Sequence, residues 1–420
     1  MNNRLLHALA NKSFLFLWIA EIFSQVAMNM MNFILILVAF SLTNSNTAVS
    51  GIVLSFTIPA IIFGVLAGVY VDRWDKKKVL FITNITRTVF LILLAIFNKS
   101  LVAVYVLSFL ISIVTQFFIP AETPIIPLIV GKDMLLSANA LFGLALYGSI
   151  LLAYGLSGPF LILLGSKNAF IALAVLYLIA SLCILLVGKT KLVVREKRTK
   201  DHIQNLFAEI KHAFSFIVGI RDISKAFFLL ILSQVLILII AVIGPGFAKQ
   251  ILGISINEFP LYFVTPAAIG MGIGAFILTN YYHHISKQKT ATVGLFITSI
   301  VIFLLPYGSK VTSRTFIQDI NAYLPHFMTI SILHIMIILA FVMGIAIALI
   351  FVPSNTIIQE QTSDEVRGKI YGTLNTLVSL SSILPVVVIG SLADVFGVKA
   401  VLTSLSIGIF LIAVIRSLTD

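Results

Sequence analysis

Glu21, Gln25, Asn29 and Asn32 stand at steps of four, four and three within an apolar run of more than twenty residues. On a helix that spacing puts all four on one face. An unpaired carboxylate in hydrocarbon costs about 3 kcal/mol or more, so such an acid faces a cavity, a partner or a proton path. Glu21 is therefore the first candidate for carrying a proton, and Gln25, Asn29 and Asn32 form a polar stripe beside it. The competing reading is a permanently hydrogen-bonded acid near the end of its helix.

Other runs hold further polar groups. Glu122 follows Pro120 in one run, and Arg87 lies inside another. Opposite charges on adjacent buried helices neutralise each other, so a structural pair Arg87–Glu122 is expected. Glu122 is also a second proton-coupling candidate. His334 is a third, because an imidazole titrates near neutral pH; the plainer reading is a hydrogen-bonded His. Gln116, Gln234, Asn375 and Ser379 are candidates for lining a cavity, and Asn375, Ser379 and Ser382 share one helix face. Such neutral polar groups suit a roomy site for an amphiphile better than a tight ion site.

Enzyme and metal chemistry find no foothold. Val187–Thr190 reads "VGKT", the end of a phosphate loop, but the position of its earlier glycine is Cys183. One cysteine forms no disulfide within the chain and no Cys-based metal site. His283 and His284 are adjacent rather than at the helical spacing of a metal pair. No metal, no cofactor and no catalytic activity are expected.

The elements that must position these residues are membrane helices. The chain is 60% hydrophobic and 10% charged, where an ordinary soluble domain carries about a quarter charged residues. Twelve apolar runs approach the ~20 residues that cross hydrocarbon as a helix. They are Phe14–Ser41, Ala48–Val71, Val79–Phe97, Leu101–Val130, Ser137–Gly165, Ala169–Val187, Ala226–Lys249, Phe259–Tyr282, Thr290–Tyr307, Phe327–Val352, Ile370–Ala393 and Val398–Ile415. The runs are continuous, without the period-two alternation of barrel strands. The first residues, "MNNRLLHALANKS", lead into a run too long for a cleaved signal.

Charge sets the orientation. With the first residues placed inside, 21 of the 28 Lys and Arg fall on the inner side and six on the outer, with Arg87 in a span. That asymmetry predicts a multi-pass protein of the cell membrane, inner or plasma, with both termini cytoplasmic. It also accounts for the net charge of +12 without any nucleic acid.

Gly188–Lys225 is the one long polar interruption, splitting the chain six plus six. Residues 1–188 and 226–420 are expected to be six-helix bundles, with 189–225 a cytoplasmic linker. Ile203, Leu206, Phe207, Ile210, Phe214 and Ile217 recur there at helical spacing, as in an amphipathic helix on the inner membrane face; a solvated linker is the alternative. The halves echo each other. Pro120, Thr123 and Ile125 match Pro353, Thr356 and Ile358, and "GVLAG" (Gly64–Gly68) has a counterpart in "GMGIG" (Gly270–Gly274). Both glycine patterns allow close helix approach. A duplicated six-helix half predicts a transporter with its cavity between the halves.

The densest charge, "DRWDKKK" (Asp72–Lys78), is then a short inner loop between spans two and three. Its cations anchor topology. Asp72 is expected either to face the N-terminus of another helix, such as the start of span eleven near Arg367–Gly372, or to pair with a neighbouring Lys.

Here the chain resembles a family. Gly68, Asp72, Arg73, Lys76 and Lys77 are similar to the loop 2–3 signature of the major facilitator superfamily, with Asp75 at its usual glycine. "PAETPIIPLIV" (Pro120–Val130) and "DEVRGKIYG" (Asp364–Gly372) resemble the macrolide-efflux-like and siderophore-exporter-like branch. The resemblance implies an all-α membrane protein with twelve transmembrane helices in two pseudo-symmetric bundles. It also implies alternating access, with loop 2–3 as a gate. The arginine-centred motif of another drug-antiporter branch is missing from span four, and only "GLSGP" (Gly155–Pro159) remains of its glycine motif. The expected function is proton-coupled efflux of hydrophobic or amphiphilic compounds. The alternatives are export of a lysophospholipid or siderophore, or a non-transporting receptor or scaffold. The expected partners are the small amphiphile, protons and the lipid bilayer, and the chain is expected to be a monomer.

Overall fold

The computed structural model describes residues 7–188, 217–308, 318, 321 and 331–419, apart from 72, 132, 133, 218, 282–285 and 363. The described elements are helical, and eleven stretches are long and apolar enough to cross a membrane. In hydrocarbon a backbone must satisfy its own hydrogen bonds, and a helix does this within one segment. By contact the chain divides into two compact units. One comprises Met1–Leu42 and Gly51–His202, the other Thr43–Ser50 and Ile203–Asp420.

The first unit is built from α1 (Lys12–Thr43), most of α2 (Asn46–Val71), α3 (Lys76–Phe97), α4 (Leu101–Ile129) and α5 (Leu135–Leu186). At 52 residues α5 would be about 78 Å long if straight, more than twice a ~30 Å hydrocarbon core. Gly165 breaks it, with φ 69 and ψ 166, a conformation suited to a residue without Cβ. The contacts show that the chain reverses there. At one end, Trp18 Nε1 donates to the Leu141 carbonyl of the first arm, and the Gly188 amide beyond the second arm donates to Ser13. At the other, Ser166 donates to Asn98, just past α3. One kinked element thus supplies two spans.

Helix ends explain the loop between α2 and α3. Asp75 precedes α3, and its Oδ1 accepts from the amides of Lys77 (2.9 Å) and Lys78 (3.3 Å). This is an N-cap that satisfies two otherwise free donors. Lys77 crosses to the end of α5, where Nζ donates to the carbonyls of Leu185 and Val187. A cation is favoured at that negative helix end.

The second unit contains α6 (Arg221–Phe247), α7 (Thr265–Tyr281), α8 (Lys287–Leu304), α9 (Ile332–Glu360), α10 (Asp364–Phe396) and α11 (Val398–Thr419). Two π-helical turns, Ala248–Leu252 and Pro260–Val264, lie between α6 and α7. At one end of the unit Lys287 pairs with Glu360, and Gln288 donates to Asp222. The glycines of α7 set its contact with α9. A Cβ on Gly270 would overlap the Phe341 carbonyl, and one on Gly344 would overlap the Ala267 carbonyl. Backbones therefore touch directly, as small residues permit in membranes. The pattern in α2 behaves differently: a Cβ on Gly68 would meet open space. The shared spelling does not carry a shared contact, because packing depends on the facing helix.

Pro120 and Pro353 lie inside α4 and α9. Ile217 is buried against α6, α9 and α10. The rest of the expected amphipathic face, Ile203–Phe214, lies outside the described residues.

Candidate functional site

The polar face of α1 meets α3, α4 and α5 inside the first unit. Glu21 and Gln25 are each 3% exposed and Glu122, on α4, is 8% exposed. Gln25 Nε2 donates to Glu122 Oε1 at 3.4 Å, and the carboxyls of Glu21 and Glu122 are within hydrogen-bonding reach of each other. Glu21 Oε1 has no partner. Two acids from two helices therefore share one dry site, joined by an amide one turn along α1.

A second polar layer lies beside it. Asn84, on α3, accepts at Oδ1 from Ser24 Oγ (2.9 Å) and from Arg87 Nη1 (3.3 Å). Arg87 is fully buried. Its guanidinium carbon lies 4.3 Å from the centroid of the Phe118 ring and 5.3 Å from that of Tyr177. Both acids feel its charge. The expected direct ion pair between Arg87 and Glu122 is not among the contacts of the described residues: Glu122 accepts from Gln25, and Arg87 reaches Asn84 and the two rings. Sequence placed these charges on neighbouring helices but not their rotation, and here the guanidinium faces the two rings.

The other candidates separate. Asn29 is buried but turns back to its own helix, donating to the Gln25 carbonyl at 2.9 Å. Asn32 is half-buried one turn further. Gln116, half-buried on α4, donates to the Ser112 carbonyl at 3.4 Å. Gln234 is half-buried on α6, Asn375 exposed and Ser379 half-buried on α10. The helix begins at Ile332, and His334 sits exposed in the first turn of α9. There its Nδ1 accepts from the Ser331 amide at 3.1 Å, as in the plainer reading of a hydrogen-bonded His. Asp72 lies outside the described residues, and Arg73 is exposed beside it. Lys76 turns to the Val71 carbonyl.

Four residues are not among those that spacing singles out. Asn84 and Tyr177 have no distinguishing pattern. Asp75 stands out in sequence only as an unusual loop residue, though an Asp immediately before a helical run is a cap signal. Asp394, near the end of α10, accepts hydrogen bonds from Ser45, Asn46 and Thr47. Among the described residues no three His, Cys, Asp or Glu side chains gather as metal ligands.

Comparison with known proteins gives a consistent picture. The sequence profile of the Major Facilitator Superfamily matches residues 17–318. Two Bacillus subtilis (strain 168) proteins described as uncharacterized MFS-type transporters are similar in sequence. YfiS is 24% identical, covering 87% of this chain and 83% of its own. YfmI is 24% identical, covering 92% of each. Among solved structures the nucleoside transporter NupG aligns with a TM-score of 0.74 at 13% identity, covering 96% of this chain and 98% of its own. A bacterial homologue of the human lysosomal transporter Spinster, inward-facing and unoccupied, aligns at 0.68 with 14% identity, covering 97% and 96%. The chain, with its helical spans and its sequence match over most of their length, belongs to the Major Facilitator Superfamily and is a multi-pass membrane transporter.

Proposed function

We propose that the chain is a proton-coupled secondary transporter that exports a hydrophobic or amphiphilic compound by alternating access. The observation that supports this most is the acid pair Glu21–Glu122, buried beside Gln25 with one carboxylate oxygen unpartnered. Two carboxyls in contact repel strongly when both are charged. With Arg87 as the nearby cation, two acids and one guanidinium balance when a single proton sits on the acid pair. Loading and losing that proton changes the charge of the site by one, which is what coupling to a proton gradient needs.

The export direction rests on the resemblance of Pro120–Val130 and Asp364–Gly372 to efflux-type sequences. The solved relatives include a nucleoside transporter and a Spinster homologue, and a fold does not choose cargo. Efflux from cells lacking other pumps, with and without a protonophore, identifies the substrate; a lysophospholipid or a siderophore belongs in the same screen. Proteoliposomes then test the coupling. Glu21→Gln is expected to abolish efflux driven by a pH gradient while leaving downhill exchange. Full gradient-driven efflux in both Glu21→Gln and Glu122→Gln would remove the acid pair as the proton site.

A further inference from the structure

Among the described residues nine buried side-chain atoms lack a hydrogen-bond partner, and six of them belong to one neighbourhood inside the first unit. Four can donate: Arg87 Nε and Nη2, Asn84 Nδ2 and Tyr177 Oη. Gln25 Oε1 accepts, and Glu21 Oε1 accepts whenever it carries no proton. The other three, Asn46 Oδ1, Thr298 Oγ1 and Ser354 Oγ, are single neutral oxygens on α2, α8 and α9.

Ser24 ties the six together. It shares a face of α1 with Glu21, one turn before it, and precedes Gln25 directly; its hydroxyl donates to Asn84 on α3 at 2.9 Å. Arg87 stands one turn beyond Asn84 and reaches its Oδ1 at 3.3 Å. Tyr177, on the second arm of α5, places its ring centroid 5.3 Å from the guanidinium carbon. Asn84, Arg87 and Tyr177 are all fully buried. A buried donor without a partner is costly, most of all on a cation, and native interiors leave few of them. Six in one place, three of them on or beside a guanidinium, call for a ligand.

The chemistry of the six atoms selects that ligand. Donors and acceptors are both present, so it must give and take hydrogen bonds. An anion only takes them, and here it would be repelled by two acids. A metal cation needs acceptors and would meet the guanidinium. Water does both. A buried water makes about three hydrogen bonds, so six free atoms match about two waters.

We propose that Arg87, Asn84, Tyr177, Glu21 and Gln25 hold an internal water site on the guanidinium side of the acid pair. The waters supply the link between cation and acids that no direct ion pair makes among the described residues. Their use as the proton's first donor and acceptor rests on the coupling proposed above; the site itself does not. Its test needs neither substrate nor proton gradient.

X-ray radiolysis of the full chain in lipid nanodiscs turns bound water into hydroxyl radicals in place, and mass spectrometry reads which side chains they oxidise. Phe170 is fully buried on the same arm of α5 as Tyr177 and serves as the packed reference. Tyr177 and Phe118 are expected to oxidise at least about tenfold faster than Phe170, because a packed apolar interior holds no water. Rates equal to that of Phe170 overturn the site. Oxidation of Tyr177 that appears only in chloride-free buffer assigns the place to an anion and overturns it too. Asn84→Leu with Tyr177→Phe removes two of the donors at nearly constant volume. It is expected to lower oxidation of Phe118 at least about threefold, since a buried water needs several partners, and to leave Phe170 unchanged. Unchanged Phe118 in the folded variant overturns the assignment to these side chains; should the variant not fold, the ratio in the parent decides. Fast oxidation of Tyr177 together with full gradient-driven efflux in Glu21→Gln and Glu122→Gln keeps the water site and removes the coupling. A protected Tyr177 together with lost efflux does the reverse.

Discussion

The guanidinium of Arg87 lies against Phe118, 4.3 Å from carbon to ring centroid, although two carboxylic acids are near enough to feel its charge. A fully buried cation needs compensation, and here two aromatic faces and Asn84 supply the direct contacts.

Planarity is central to that contact. Arg87→Lys keeps the charge but loses the flat stacking and the fork of donors. It is expected to lower stability by about 1–2 kcal/mol, and Arg87→Ala by about 3–5 kcal/mol. Thermal unfolding of the detergent-solubilised protein measures both; an Arg87→Lys midpoint equal to the parent's would mean that stacking contributes nothing.

Glu21→Gln separates chemistry from folding. The amide fits the same space and removes an ionisable group from a dry site. The unfolding midpoint is expected to hold or rise, while proton-driven efflux falls at least about tenfold, the scale of losing a coupling step worth about 1.4 kcal/mol or more. Measuring both on one preparation prevents a misfolded variant from passing as an uncoupled one.

The two glycine patterns give opposite expectations. At Gly270 a methyl group would drive into the Phe341 carbonyl, so Gly270→Ala is expected to cost about 1–3 kcal/mol. At Gly68 a methyl meets nothing within 4 Å, so Gly68→Ala is expected to be neutral or to stabilise by up to about 1 kcal/mol. Expression level and thermal midpoint, compared side by side, distinguish the two.

In the loop between α2 and α3, Asp75→Ala removes the cap of α3 and is expected to cost about 1 kcal/mol. Asp75→Asn, which can still accept from Lys77 and Lys78, is expected to recover most of it. Equal loss in both variants would point to charge rather than capping.

How much the sequence reveals differs from residue to residue. The spans are legible because hydrocarbon demands long apolar helices, and residues 101–129 stand out on that ground alone. The end of α5 at Leu186 agrees with its apolar run to one residue, while α10 starts at Asp364, six residues before its run. Gly165 falls at the end of an expected span, yet nothing in the sequence says that one glycine suffices to reverse the chain. The stripe on α1 is visible because its period is that of a single helix. The partner of Arg87 is not, since it depends on rotation about α3, which composition does not set. The hydrogen-bond partner of His334 is not legible either, because nothing in the sequence shows that Ser331 opens α9 just before it. Asp394 is hidden for a different reason: an acid at a span end is ordinary, and its partners lie at the start of α2, more than three hundred residues away.

The reversal at Gly165 has a practical consequence. Two neighbouring spans meet through a single kinked residue, so the face bearing Ser166 offers no slack between them. A residue inserted between the arms would pull Ser166 away from Asn98, whereas the exposed Lys167 and Asn168 beside it leave room for a single-residue label.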